Sequence, residues 1–454
     1  MFGERPRGKG DITAGAGLAA PGRAEDGGRR TEDGDIATGA GLAALLRTKV
    51  PAETWTWLLV AIGVLLRVME YGDNRKLYMD EVSLLKNLVG CAFYDFRTTL
   101  TEHQLAPPGF LAVERLMVRL PLPVKAAARL VPFLCAIASM FLMRSVARRF
   151  LSPRAVPIAV GLFALNDWLL YYSAELKQYS VDVALTLTAL LLAAGPAVMT
   201  PRRLRLLTCF GLAGVWFSHP LALVLAGVGT YFMAKAALGR EWKKAFGFLV
   251  MTLAWASSFG VCYKVSHLIL SKDRFVWNWW DFAFLRLPPR SYTNLERDFW
   301  QMLNLLNSPS CVLTPLGVLA SAFLALGLFV LGGLSLGRRW RGGLYLVLAP
   351  LLFALLASAL HQYPFHGRLL LFLIPSVHLL VSEGAAALAW CGGARLTFVL
   401  GAFLLFQPAF DAMWHRLIFP RDRWGPDSHG DLAPDLLDYL EKIEQKTSGP
   451  GSLP

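Results

Sequence analysis

Paired cysteines, glycine-rich phosphate loops and metal-ligand spacings are missing from this 454-residue chain. Its six cysteines, Cys91, Cys135, Cys209, Cys262, Cys311 and Cys391, are scattered, and most fall in or beside apolar blocks. No CxxC and no close pair occurs, which excludes a disulfide framework and a cysteine zinc site. Charged residues are also few, at 17% of the chain, against about 25% in soluble domains. No Gly-rich loop stands beside the apolar blocks, so a bound nucleotide is not implied. The N-terminus lacks the apolar core of a cleaved signal peptide. No repeat relates the apolar blocks to one another.

What is present in excess is apolar sequence. Hydrophobic residues make up 55% of the chain and the mean hydropathy is +0.45. The excess lies in blocks of roughly 15–25 residues, the length that crosses a hydrocarbon core of about 30 Å as a helix. The blocks are continuous and do not alternate, which argues against barrel strands. The reading is an all-α membrane protein of about eleven spans, at 54–70, 131–147, 155–171, 179–197, 204–219, 221–238, 246–268, 311–336, 343–360, 369–390 and 396–410.

The formal charge of +13 invites a nucleic-acid partner, but the positions of the bases argue otherwise. Arg144, Arg148, Arg149 and Arg154 follow the second span. Arg202, Arg203 and Arg205 follow the fourth, Lys235, Arg240, Lys243 and Lys244 the sixth, and Arg338, Arg339 and Arg341 the eighth. Every alternate link is basic, the signature of cytoplasmic loops. The remaining links, 71–130, 172–178, Ser218–Pro220, 269–310, 361–368 and the tail from 411, then face outward. Three regions follow: a disordered tail at 1–50, rich in Gly, Ala, Arg and Asp with DITAGAGLAA recurring as DIATGAGLAA; a membrane domain at 51–410; and a short outer tail at 411–454. In the first outer loop, Val82, Leu84, Leu85, Leu88, Val89, Phe93 and Phe96 follow helical spacing and read as an interfacial amphipathic helix. A second such stretch runs from Pro108 to about Leu120. Tail residues Leu432, Leu436, Leu440 and Ile443 fit one helical face.

Three outer constellations carry candidate chemistry. Asp80 and Glu81 sit in Leu-Tyr-Met-Asp-Glu-Val-Ser, after the first span. One reading is helix capping. The other is a carboxylate base whose pKa partial burial tunes. The second constellation, Tyr-Tyr-Ser-Ala-Glu-Leu-Lys-Gln-Tyr from Tyr171 to Tyr179, joins two spans. Tyr172 and Tyr179 fit an aromatic belt, whereas Glu175, Lys177 and Gln178 supply a second carboxylate, a cation and an amide opposite Asp80. The third runs from His361 to Arg368, His-Gln-Tyr-Pro-Phe-His-Gly-Arg. An arginine entering an apolar run either snorkels or pairs, and guanidinium suits phosphate. His103, beside Glu102, is a substrate contact or a metal ligand, although adjacent residues make a poor ligand pair. His219 is a weaker candidate, and His378 reads as a packed histidine. Trp277, Trp279, Trp280, Arg286 and Arg290 mark the 269–310 loop as a surface for lipid headgroups or for sugars.

Together, the acidic pair after the first span, His103 with the Pro-Pro after it, the Tyr-Ser-x-Glu-x-Lys-x-Tyr turn and the Phe-x-Gly-Arg motif resemble the glycosyltransferase-C membrane superfamily. The nearest group is glycosyltransferase family 39, which holds protein O-mannosyltransferases and aminoarabinose lipid A transferases. The resemblance runs from about Trp55 to Pro408. It implies a GT-C type polytopic bundle with interfacial helices in its first outer loop. It further implies transfer of a sugar, with inversion, from a polyprenyl-phosphate donor to an acceptor outside the cytoplasm. Asp80 maps to the base or acceptor-positioning carboxylate, Glu175 to the second acid and Arg368 to the phosphate contact. Lys177 stands where the family commonly has arginine, which weakens its claim as a phosphate clamp. The family pattern implies a bacterial inner membrane, no nucleic acid and no certain cofactor, with a divalent metal left open. A secondary transporter or lipid flippase is the alternative; it calls for charges near the midplane and inverted repeats. A non-catalytic scaffold is the third reading.

Overall fold

The computed structural model describes residues 52–89, 100, 104–194, 199–269, 278–389 and 393–417. Phe93, Phe96, Glu102, His103, Trp277, the 1–50 tail and the Leu432–Ile443 stretch lie outside the described residues. Every regular element among the described residues is helical. In chain order they are α1 (Ala52–Gly72), α2 (Met79–Val89), α3 (Pro108–Met117), α4 (Val124–Phe150), α5 (Ala155–Leu165) and α6 (Asp167–Tyr171). Then come α7 (Tyr179–Ala193), α8 (Pro201–Gly214), α9 (Leu221–Leu238), α10 (Trp242–Ile269) and α11 (Tyr292–Asn307). The last four are α12 (Val318–Arg339), α13 (Arg341–Ala359), α14 (Ile374–Leu388) and α15 (Gly393–Leu417).

Among the described residues eight helical segments are long and apolar enough to cross a membrane, and a ninth is reached if α5 and the segment 167–174, bent by 54° from it, are counted as one span. The chain is a multi-pass membrane protein. Two expected spans come out short. The α7 helix has 15 residues and α8 has 14; at 1.5 Å per residue each covers only about 20 Å of the hydrocarbon core. The span expected from 311 begins as helix only at Val318, because Cys311 and Gly317 take positive φ values of 52° and 90°. The last span runs to Leu417, past the expected boundary at 410.

Sequence explains the bend. Asn166 leaves the helical region and caps α6, its Oδ1 accepting from the Leu169 amide at 2.8 Å. That break frees carbonyls at the end of α5. Arg67, buried within α1, takes them, donating to the carbonyls of Phe163 and Ala164 at 3.3 Å. The α14 helix runs through the centre and is almost wholly buried. It crosses α12 through Gly332 and Gly384. A Cβ on Gly332 would lie 1.8 Å from the Leu380 carbonyl oxygen, and one on Gly384 1.9 Å from that of Leu328. Only glycine permits this backbone contact.

The first-loop helices differ from expectation in what covers them. Val82, Leu84, Leu85 and Leu88 of α2 are buried, in a cluster with Phe110 and Leu111 of α3, Val124 and Ala128 of α4, and Leu176. Their apolar face is spent on protein contacts, so the spacing that suggested an interfacial helix marks a packed one. This satellite core seats α2 against the 172–178 turn.

Two ends of the bundle are distinguished by charge. At one, Glu383 of α14 accepts from Ser152 Oγ at 3.0 Å, Ser335 Oγ at 2.9 Å and Arg339 Nη1 at 3.0 Å. At the same end Arg339 also reaches the Phe150 carbonyl, Arg203 donates to the Leu192 and Ala193 carbonyls at the end of α7, and Arg144 pairs with Glu53. The opposite end carries the Asp80–Glu81 pair, the 172–178 turn and the start of the α14 span.

Candidate active site

The three constellations, far apart in sequence, meet at that opposite end. At the start of α2, Glu81 supplies the cap. Its Oε2 accepts the amide of Tyr78 at 3.0 Å, half of a capping box. Asp80 is thereby free of capping, and its Oδ2 receives Arg368 Nη2 at 2.6 Å, with Lys177 Nζ 4.0 Å away. Gln104 bridges the group: it accepts from Lys177 Nζ at 2.6 Å and hydrogen-bonds Asp80. Asp80 is partly exposed, whereas Lys177 is buried. Burial alone would raise the Asp80 carboxyl; Lys177 and Arg368 outweigh it and hold the pKa below the usual range. Burial lowers that of Lys177.

Glu81 does not face open space. Arg129 of α4 grips it in a fork, Nε to Oε1 at 2.8 Å and Nη2 to Oε2 at 2.7 Å. The amide of Leu176 adds a bond to Oε1 at 2.8 Å. Arg129 also donates to the carbonyl of Arg75 at 2.8 Å. One buried ion pair therefore ties the chain before α2, the start of α4 and the 172–178 turn together. Both oxygens of Glu81 are thus occupied by protein donors beside Asp80.

Glu175 is buried, with Arg75 Nη2 3.6 Å from its Oε2, but that oxygen accepts no hydrogen bond. Burial first, and then the charge of Glu81, lift its pKa to about 7 against the pull of Arg75, Arg368 and Lys177. Arg75 itself lies 3.8 Å above the Tyr171 ring and donates to the Tyr171 and Ala174 carbonyls. Tyr172 and Tyr179 are buried and meet edge to face at 5.0 Å. Arg368 stands 5.9 Å over Tyr179. Both tyrosines are thus covered by protein beside Arg368 and Glu175. Gln178 is half-buried, with an Oε1 that no partner satisfies.

Arg368 is presented by Gly367, whose φ of +48° turns the chain. His361 is exposed and stacks on Phe284 at 5.1 Å. His366 faces Phe282 and Trp280 instead. His219 meets Ser266 at 3.1 Å, and His378 is buried against the Ser310 carbonyl at 2.7 Å, as a packed histidine should be. Among the described residues no group of three or more His, Cys, Asp or Glu side chains is arranged to hold a metal.

No family model matches the sequence, and no curated protein matches it. Solved structures do resemble the fold. One is an oligosaccharyltransferase from Archaeoglobus fulgidus in complex with zinc and sulfate, at 13% identity and a TM-score of 0.46, covering 88% of this chain and 59% of that one. Another is ArnT from Cupriavidus metallidurans, at 14% identity and a TM-score of 0.45, covering 87% and 76%; its complex with undecaprenyl phosphate scores 0.44 over the same shares. Both proteins are glycosyltransferases of the GT-C fold. This chain spans about three fifths of the length of the archaeal enzyme.

Sequence reading missed Gln104, Arg75, Glu70 and Arg129. Arg129 gave the same signal as Arg368, an arginine at the edge of an apolar run. Around the site stand four cations, Arg75, Arg129, Lys177 and Arg368, and four carboxyls, Glu70, Asp80, Glu81 and Glu175. With Glu175 protonated the balance is one net positive charge, held beside an ionised Asp80. Such a site can bind an anion and accept a proton from a neighbouring hydroxyl.

Proposed function

We propose that this chain is a membrane glycosyltransferase that moves a sugar, with inversion, from a polyprenyl-phosphate donor to an acceptor on the side opposite its basic links. The observation that carries this reading is the 2.6 Å contact of Arg368 with Asp80, flanked by Lys177, at the rim of a membrane bundle. An isoprenoid tail lies among lipids and its phosphate at the rim, where a guanidinium and an ammonium are already placed. Of the five N–H donors on Arg368, one holds Asp80 and others are left for phosphate oxygens.

In the reaction the acceptor oxygen bonds to the anomeric carbon as the bond from that carbon to the phosphate oxygen breaks. The electron pair leaves on phosphate, which Arg368 and Lys177 stabilise. The acceptor proton passes to Asp80. Because Asp80 is held ionised, it takes that proton only as bond formation acidifies the acceptor, so its work is largely to orient and to stabilise charge. Glu175, Tyr172, Tyr179 and Gln178 form the wall around the reacting groups, and Glu81 positions Asp80. The same reading places the site at the periplasmic face of a bacterial inner membrane.

The test uses the full chain in nanodiscs with radiolabelled polyprenyl-phosphate sugars. Wild type consumes donor, by transfer or slow hydrolysis. Asp80→Asn and Arg368→Ala each lower turnover by about 10²–10⁴-fold at unchanged folding. Well-folded wild type that neither binds nor consumes any such donor would overturn the proposal and leave the transporter reading.

A further inference from the structure

Among the described residues a strongly amphipathic helix, α11, lies outside the Asp80–Arg368 cluster. Its inward side is fixed by protein. Leu303, Leu305 and Leu306 are buried, and buried Asp298 accepts the Arg286 amide at 2.8 Å and Arg297 Nη2 at 2.5 Å. Tyr292, Leu295, Phe299 and Trp300 face outward, exposed by 79%, 51%, 41% and 44%. Thr293, Glu296 and Asn304, also exposed, form a polar flank. With Glu296, Arg297 and Asp298 in its 16 residues, α11 cannot cross a bilayer.

The exposed apolar side runs into a surface whose neighbour is known from the architecture. Asn307 Nδ2 donates to the Val318 carbonyl at 3.0 Å, and from there Leu316, Val318, Leu319 and Phe323 are exposed at the head of the spanning helix α12. On the other side Trp279 and Phe282 are exposed as well. A spanning helix presents such residues to lipid, and Trp and Tyr gather where hydrocarbon gives way to headgroups. The chemistry of attachment is apolar. Residues 278–310 carry three acids (Asp281, Glu296, Asp298) and three bases (Arg286, Arg290, Arg297), so no net charge draws them to an anionic surface.

We propose that α11 is an interfacial anchor, lying in the lipid surface of the leaflet the site faces and holding the Arg368 turn at the depth of lipid phosphates. The second half of this proposal rests on the glycosyltransferase reading. Its structural link is Gln301, whose Nε2 donates to the carbonyls of both Ala283 and Phe365 at 2.7 Å, three residues before Arg368. Phe365 in turn donates its amide to the Ala283 carbonyl at 2.8 Å. Anchor, loop and site turn are thus stapled at one point.

The test is photocrosslinking of the full chain in nanodiscs without any donor. A benzophenone side chain is placed at Leu295 or Phe299, and at Thr293 or Asn304 for comparison. The expected result is lipid adducts from the first pair and few from the second, with equal yield in phosphatidylcholine alone and with phosphatidylglycerol added. Equal adducts from both pairs, adducts to a second copy of the chain, or adducts that need anionic lipid would each overturn the anchor. A second arm reads the link to the site. The double variant Leu295→Asn with Phe299→Asn raises KM for the lipid-linked donor several-fold while kcat is retained; an unchanged KM would sever the link. Wild type that consumes no donor in this arm counts against the proposed function alone, since the adducts form without it.

Discussion

At the scale of single residues, Glu175 makes the sharpest prediction. Its pKa is raised from the ordinary 4.5 to about 7. Ionisation therefore favours the unfolded chain: the stability that Glu175 contributes is full below about pH 4.5, declines as pH rises towards 7, and is gone above it. The same proton sets the charge that an anionic lipid meets. Below pH 7 the cluster carries one more positive charge than above it, so affinity for a polyprenyl phosphate falls as pH rises through 7. At an effective dielectric constant near 20 a nearby unit charge is worth about 1–2 kcal/mol, a change of roughly 5- to 30-fold in Kd. Glu175→Gln should flatten this pH dependence, read as carrier-lipid binding between pH 6 and 8; a dependence that persists in the variant assigns it to another group. Asp80, Glu175, Lys177 and Arg368 were legible in the sequence because charge in a tight link, or at the mouth of an apolar run, is conspicuous. Gln104 and Arg75 were not. A glutamine in a loop carries no signal until Lys177 and Asp80, more than 70 and about 24 positions away, close on it. Arg75 works largely through the backbone carbonyls of Tyr171 and Ala174, which no side-chain pattern encodes. The assignment of Glu81 as a catalytic acid shows the same limit. Adjacent carboxylates read alike in sequence, and only the structure shows that Arg129 forks onto Glu81 while Arg368 meets Asp80.

At the scale of elements, two contacts decide whether the site keeps its shape. The buried Arg129–Glu81 pair joins three segments, and removing one partner leaves the other charged and unpaired in the interior. Arg129→Ala or Glu81→Ala should cost about 3–5 kcal/mol, seen as a lowered thermal midpoint in nanodiscs. Replacing both, as Arg129→Met with Glu81→Leu, should recover much of that stability but not donor turnover, because Asp80 loses its support. Recovery of turnover with stability would show that the pair has no positioning role. The second contact is the glycine crossing of α12 and α14. Gly384→Ala forces a methyl into the Leu328 carbonyl and should destabilise by about 1–3 kcal/mol; Gly327→Ala on the same α12, which has open space around it, should not. Hydrophobic blocks made the long helices legible, since length and apolarity alone specify a crossing. The crossing itself was not, because which glycine meets which backbone is a tertiary fact. The first-loop helices were found by their period, but the apolar face of α2 is covered by protein. Periodicity shows that a face is apolar, and whether lipid or protein covers it depends on what folds beside it. The element with an uncovered apolar face is α11, in a loop where aromatic and basic residues had left lipid and sugar equally open.

At the scale of the whole molecule, the argument is about which end of the bundle faces which compartment. Arg203, Arg339, Glu383 and the short basic links gather at one end, and Asp80, Glu175 and Arg368 at the other. Residues 368 and 383 lie towards opposite ends of one buried candidate span, Gly367–Leu388. Lys and Arg in short links hold the cytoplasmic side, so the site is expected to open outward, where a lipid-linked donor would meet its acceptor. Cysteine labelling decides it. In a variant lacking the native cysteines, Gln362→Cys lies in the exposed turn before Arg368, and Lys243→Cys in the exposed first turn of α10. A membrane-impermeant maleimide added to intact cells should label Gln362→Cys and leave Lys243→Cys unmodified until the membrane is permeabilised. Labelling in the reverse order would turn the site towards the cytoplasm. An acceptor and a donor available on that side would then be required, and the basic links would need another explanation than orientation.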